Sequence, residues 1–198
     1  DPTESDLRMW DRSAHAMIAR KKHLGKRVRC VTMKALRVQF DVRGSSMVTT
    51  VVLVRHGDAE PRNAHGDKER QLTAVGLRAL ERAYPQALAS LHGVKGLALW
   101  ASPAVRALQT AKVVAHALGI DPEDIDPHDS LYEQDEERFL AELGAAHEPT
   151  VVAVGHVPFM ERLACTLTGE SVAFHKGAIR AIRLGERPGE GELLWGAE

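Results

Sequence analysis

The sequence predicts a three-layer α/β sandwich with a largely parallel sheet. Short apolar runs alternate with amphipathic helical segments from residue 50 to residue 184. Capping residues stand where the pattern changes: Ser102-Pro103 and Pro158 before helical segments, Gly119 and Gly169 after them. Three of the apolar runs end in charged or titratable residues, which is where open α/β sheets place their ligands.

The elements follow in order. Val51–Arg55 reads as a strand buried on both faces, "VVLVR". "LTAVGLRALERAYPQALASL" reads as a helix with Thr73 as N-cap, and Leu77, Leu80, Tyr84, Leu88 and Leu91 share one face. Pro85 falls inside it and is expected to kink or divide it. "LALWA", 97–101, is a second strand. "SPAVRALQTAKVVAHALG" is a helix with Ser102 as N-cap, Pro103 in its first position, and Val105, Leu108, Val114 and Leu118 as its core stripe. Residues 121–130 are rich in Asp and Pro and read as loop, and "EERFLAEL" is a short helix ending near Gly144. "TVVAVGH" is a third buried strand, followed by a helix from Pro158 to Gly169. "AIRAIRLG" alternates as a strand with one wet face, and "ELLWG" is a final edge strand reached through the Pro188–Gly189 turn.

Composition sets outer bounds. The 198 residues suffice for one domain and a short extra segment. Hydrophobic content of 44% and charged content of 27% suit a globular protein, and no apolar run approaches the roughly 18–20 residues of a membrane span. The N-terminus shows no apolar signal core, so secretion is not indicated and a cytoplasmic location is expected. Cys30 and Cys165 have no metal-ligand spacing and read as unpaired thiols.

The net charge of −1 hides a division, because residues 1–46 carry a balance of +6 and residues 47–198 a balance of −7. A boundary is expected near 46/47, with a domain over 47–198. The basic segment, which contains "ARKKHLGKRVR", reads as a disordered tail or as upstream sequence foreign to the natural protein. A basic appendage for an acidic partner is the third reading. Nucleic acid is disfavoured, since no aromatic interleaving or known motif accompanies the charge. A short helix is expected around 33–41.

Function concentrates at the strand ends: Arg55-His56-Gly57, Ser102-Pro103 with Arg106 just beyond, and Gly155-His156. Arg106 lies in the first turn of a helix, where the dipole disfavours a cation unless an anion is shared with it. Arg55 supplies a second guanidinium fork matched to phosphate oxygens. Two arginines and two histidines at converging tips point to a phosphoryl pocket. Taken singly, each would read as a satisfied surface residue. His65, His92, His116, His128, His147 and His175 lack paired spacing and read as surface or loop residues, so no metal and no cofactor is expected.

"LVRHGDAE", "RQLTAVG", "SPAVRALQTA" and "VGHVPFM" resemble, in order and spacing, the histidine phosphatase superfamily with its phosphoglycerate mutase-like fold, across nearly all of 50–184. RHGDA and the compact length most resemble its SixA-type phosphohistidine phosphatases. The resemblance implies that His56 is a nucleophile forming a phosphohistidine intermediate. A neutral ring is needed, so its other nitrogen should donate to a backbone carbonyl. Arg55, Arg106 and His156 would clamp the phosphoryl oxygens, Arg70 would add a further contact, and Gly57 would allow close backbone approach. Mutases of the superfamily carry serine and asparagine where this chain has Ala59 and Arg62, so mutase activity is not expected.

An alkyl phosphate needs its leaving oxygen protonated, and Asp58 and Glu133 are the candidate donors. A phosphohistidine needs such an acid less. Only 49 residues separate Arg106 from His156, which leaves little for a lid and suggests an open pocket. The substrate expected is a phosphorylated protein or a small phosphoester, with no membrane partner. The alternatives are a broad sugar-phosphate or nucleotide phosphatase, and a catalytically weak phosphate-binding protein.

Overall fold

The computed structural model describes residues 48–62, 64 and 66–198. The basic segment, the proposed helix at 33–41 and the 46/47 boundary lie outside the described residues.

β1 (Thr50–Arg55) occupies the middle of a six-stranded sheet ordered β3-β2-β4-β1-β5-β6. β2 (Leu97–Ala101), β3 (Ile125–Pro127) and β4 (Thr150–Gly155) run parallel to β1, whereas β5 (Ile179–Arg183) returns antiparallel and pairs with β6 (Glu192–Ala197). Alternation along β1 divides the core. Val52 and Val54 face one layer, with Leu80, Tyr84, Ala107, Ala111 and Val114. Val51 and Leu53 face the other, with Phe139, Leu140, Phe159, Met160 and Leu163. A strand buried on both faces therefore has no polar position until its tip, as the unbroken run Val51–Val54 foretold.

The first layer is built by α1 (Ala74–Ala87) and α2 (Val105–Leu118). Thr73 caps α1 as expected, its side chain accepting from the Gly76 amide. Pro85 does not divide the helix, which runs on to Ala87 before a 3₁₀ turn at Ala89–Leu91. α2 starts later than expected: Ala104, not Ser102, is its N-cap, and Gly119 closes it in the left-handed conformation. The second layer contains the short α3 (Asp129–Glu133), α4 (Glu136–Ala145) and α5 (Phe159–Thr168), with Pro158 and Gly169 at the ends of α5 as read from sequence.

Three expectations change. Residues 121–130 are not all loop: they hold a 3₁₀ turn at Pro122–Asp124 and the edge strand β3, too short to show a period. β5 has no continuous wet face, because Arg180 is buried, its guanidinium bonded to the carbonyls of Ile179, Ala197 and Ala173 and paired with Glu198. Cys165 on α5 is disulfide-bonded rather than an unpaired thiol. Among the described residues no helix is long and apolar enough to cross a membrane.

Candidate active site

Strand register assembles the site. β1 and β4 pair with Arg55 opposite Gly155, so the next residues, His56 and His156, stand side by side with ring centroids 5.1 Å apart. β2 pairs Ala101 with Val154, and the Ser102 amide donates to the Val154 carbonyl at 2.9 Å, bringing the third tip level with the other two.

His56 is held by backbone on both sides: its amide donates to the Gly155 carbonyl, and its own carbonyl accepts from the Gly177 amide. Ring Nδ1 lies 2.7 Å from the Gly57 carbonyl oxygen. A carbonyl can only accept, so Nδ1 carries the proton and Nε2 keeps an unprotonated lone pair. Burial lowers the His56 pKa to about 4, with Arg106, Arg55 and Arg70 adding to the effect, so the ring is neutral at pH 7. Arg106 Nε lies 3.4 Å from that Nε2.

Gly57 owes its identity to packing. A Cβ there would come within 2.7 Å of Leu80 Cδ1 and 3.3 Å of Leu72 Cδ2, so those two leucine side chains would have to shift to admit one. Its amide donates to Thr110 Oγ1, which itself donates to the Arg106 carbonyl. Gln109 accepts from the Leu72 amide at 2.7 Å. The "RALQT" stretch of α2 thus uses Arg106 for the pocket, and Gln109 and Thr110 to tie α2 to the segments beside it. Sequence reasoning missed both of those ties.

Arg106, 6% exposed, donates to the Asp67 carbonyl at 2.6 Å and to its carboxylate Oδ2 at 2.8 Å. Arg70 donates to Asp67 Oδ1 at 2.8 Å and to the Glu60 carbonyl at 2.7 Å. One carboxylate therefore bridges two of the arginines that sequence assigned to phosphate. Arg70 and Arg106 hold its carboxyl below the usual range. Asp67 was missed; its spacing three residues before Arg70 in "DKER" was the only hint. The same segment holds Lys68, whose carbonyl accepts from the Val105 amide and whose ammonium sits 5.3 Å above the Tyr132 ring. Tyr132 stands edge-on to His156.

Arg55 donates to the Phe174 carbonyl at 2.8 Å, while its Nε is buried without a partner. His156 Nε2 lies 2.7 Å from Ser102 Oγ, and its Nδ1 is also buried and unpartnered. Burial lowers the His156 pKa to about 3, with His56 and Arg106 contributing. Buried polar atoms without partners are rare in folded proteins, and here two of them belong to the set of residues expected to meet an anion.

The two expected acids are engaged elsewhere. Asp58 pairs with Lys176 at 2.5 Å and accepts from Thr73 Oγ1, and Lys176 holds its carboxyl below the usual range. Glu133 is more than half exposed and pairs with Arg138 at 3.1 Å. His128 is not a simple surface residue: it stacks on Trp100 at 4.0 Å and lies between Glu142 and Asp126. Among the described residues no group of three or more His, Cys, Asp or Glu is arranged to hold a metal ion.

Comparison with known proteins adds a set of similarities to this geometry. The histidine phosphatase superfamily (branch 1) pattern matches residues 51–139. The protein histidine phosphatase SixA, solved with tungstate, is 25% identical with a TM-score of 0.62, covering 75% of this chain and 96% of its own. A proposed SixA from Agrobacterium tumefaciens is 25% identical with a TM-score of 0.64, covering 76% and 98%. A proposed SixA from Nakamurella multipartitia is 26% identical with a TM-score of 0.59, covering 76% and 95%. No curated protein sequence matches the chain at a significant level.

Proposed function

From a histidine phosphatase superfamily match over residues 51–139 and the fold that accompanies it, we propose that this chain is a metal-independent phosphatase of the SixA type. Its substrates are a phosphorylated histidine on a protein or a phosphomonoester. The observation that carries the reading is the nucleophile: a neutral His56 with its proton on Nδ1, bound to the Gly57 carbonyl, and its Nε2 lone pair facing Arg106.

The chemistry has two halves. His56 Nε2 attacks phosphorus, and the bond to the leaving group breaks with its electron pair departing on that group. Water then attacks the phosphohistidine, releasing phosphate and returning the pair to Nε2. Arg55, Arg106 and His156 face the equatorial oxygens in both steps, with Arg70 as a further donor. The Asp67 carboxylate gives up its contacts with Arg70 and Arg106 when the substrate phosphoryl group enters.

Leaving-group chemistry favours phosphohistidine. Asp58 and Glu133 are both paired with cations, and Lys176 holds the Asp58 carboxyl below the usual range, so no ready proton donor stands beside the nucleophile. A phosphoimidazole can leave with its own ring proton and needs no such donor. Asp58, two residues from the nucleophile, supports the second reading of a broad phosphomonoesterase, because movement of the exposed Lys176 would free it. In the remaining reading, a phosphate-binding protein with little turnover, the same missing acid is the cause.

The test is turnover of p-nitrophenyl phosphate and of a phosphohistidine protein in the presence of EDTA. The reading expects turnover unchanged by the chelator and lost in His56→Ala. Activity retained in that variant removes His56 as nucleophile, and phosphate binding without turnover on either substrate favours the binding protein.

A further inference from the structure

We propose that Ser102 is a positioning residue that sets the tautomer of His156, placing its proton on Nδ1 so that the site has a neutral N–H donor ready for an anion. The argument is a count of buried donors and acceptors. Ser102 is fully buried, and its hydroxyl oxygen has two neighbours, the Ala104 amide at 3.4 Å and His156 Nε2 at 2.7 Å. An amide can only donate, so the hydroxyl proton has a single available acceptor, the imidazole Nε2.

The two tautomers then differ in what they leave unsatisfied. If Nε2 carried the proton and donated to Ser102, the hydroxyl proton would have no acceptor and Nδ1 would be a bare buried lone pair. If Ser102 donates to Nε2, only the Nδ1 proton lacks a partner, as the structure records for that atom. A stranded buried group carries the full cost of its lost hydration, so the second arrangement wins by one such group.

What remains unsatisfied has the useful polarity. A bare nitrogen beside Arg55, Arg106 and His56 would repel phosphoryl oxygens, whereas an N–H would bind one. Because burial keeps His156 uncharged, that donor cannot be supplied by protonation, and it depends on which nitrogen holds the single proton.

The tautomer is independent of the proposed function, but its use toward phosphate rests on that reading. Two-bond ¹H–¹⁵N spectra of the wild-type chain at pH 7 separate pyrrole-like from pyridine-like ring nitrogens without any ligand. Protonated Nδ1 on His156 is expected; protonated Nε2 overturns the proposal whatever the variants do. Ser102→Ala is expected to shift His156 toward the Nε2–H form and to weaken inorganic phosphate binding about tenfold, with Ser102→Thr recovering most of it. A tautomer unchanged in Ser102→Ala also overturns the proposal. The expected tautomer with no phosphate binding at all in wild type leaves the tautomer argument standing and sinks the phosphatase reading instead.

Discussion

The histidines and the carboxylates of the site live under opposite rules. His56 and His156 sit at the tips of neighbouring buried strands, are desolvated, and are held neutral by that burial. Asp58, Asp67 and Glu133 sit on connecting segments or helix ends, are partly exposed, and each is paired with a cation. Burial keeps a histidine lone pair unprotonated, and the cations beside Asp58 and Asp67 make those two carboxyls worse proton donors by holding them ionised. Under the proposed function, a pocket built this way binds and attacks phosphoryl groups well but protonates leaving groups poorly.

The most severe break is at the proposed nucleophile. His56→Ala is expected to reduce turnover by at least about 10⁴-fold, as loss of a covalent catalyst does. Rapid-quench labelling should show no acid-labile phosphoenzyme. Arg106→Ala comes next, with a loss of about 10²–10³ in kcat, the scale of removing one transition-state donor. Arg106→Lys should restore little, because an ammonium cannot reach both His56 and a phosphoryl oxygen as a planar fork does.

Asp67→Asn tests the carboxylate side with the opposite sign. If the Asp67 charge competes with phosphate for Arg70 and Arg106, removing it should tighten inorganic phosphate binding about three- to tenfold by calorimetry. A partly exposed ion pair is worth only about 1 kcal/mol, which limits the gain. Weaker binding would mean that Asp67 organises the arginines instead of competing for them.

Titration separates the two groups further. The folded-state pKa of each histidine is lowered from 6.5, to about 4 and about 3, so the unfolded chain binds more protons over that interval. Stability present above pH 6.5 is therefore expected to fall as the pH drops toward 4, and His56→Asn should flatten that slope in thermal melts. The Asp58 and Asp67 carboxyls are also lowered, so their contribution is lost only below the ordinary carboxylate value. The acid limb of kcat/KM should lie near pH 4 if His56 protonation sets it. The smallest effect is expected at Glu133→Gln, under about twofold on p-nitrophenyl phosphate, since that side chain is exposed and paired with Arg138.

Much of the fold was legible because the strands buried on both faces are unmistakable in one dimension. "VVLV" and "TVVAV" admit no polar residue, and the first residues that break the pattern are those of the site. β3 was not legible because three residues at a sheet edge carry no period. Arg180 misled because alternation implies a wet face, whereas neighbouring carbonyls can satisfy a buried guanidinium. Asp67 was hidden for a similar reason: an acid in a polar segment looks like any solvated residue until a distant helix brings Arg106 to it.

The sequence by itself determined the layered fold, the positions where strands end, and the presence of two histidines and two arginines at those ends. Periodicity and capping are local, so they survive in one dimension. Only the tertiary structure decided how those residues are used. The register of β1, β2 and β4 brings His56, Ser102 and His156 level, burial then keeps both rings neutral, and through-space pairing assigns Asp58 to Lys176 and Asp67 to the two arginines. Protonation state and charge pairing depend on what surrounds a group in space, and residues 56, 102 and 156 share their surroundings only in the folded chain.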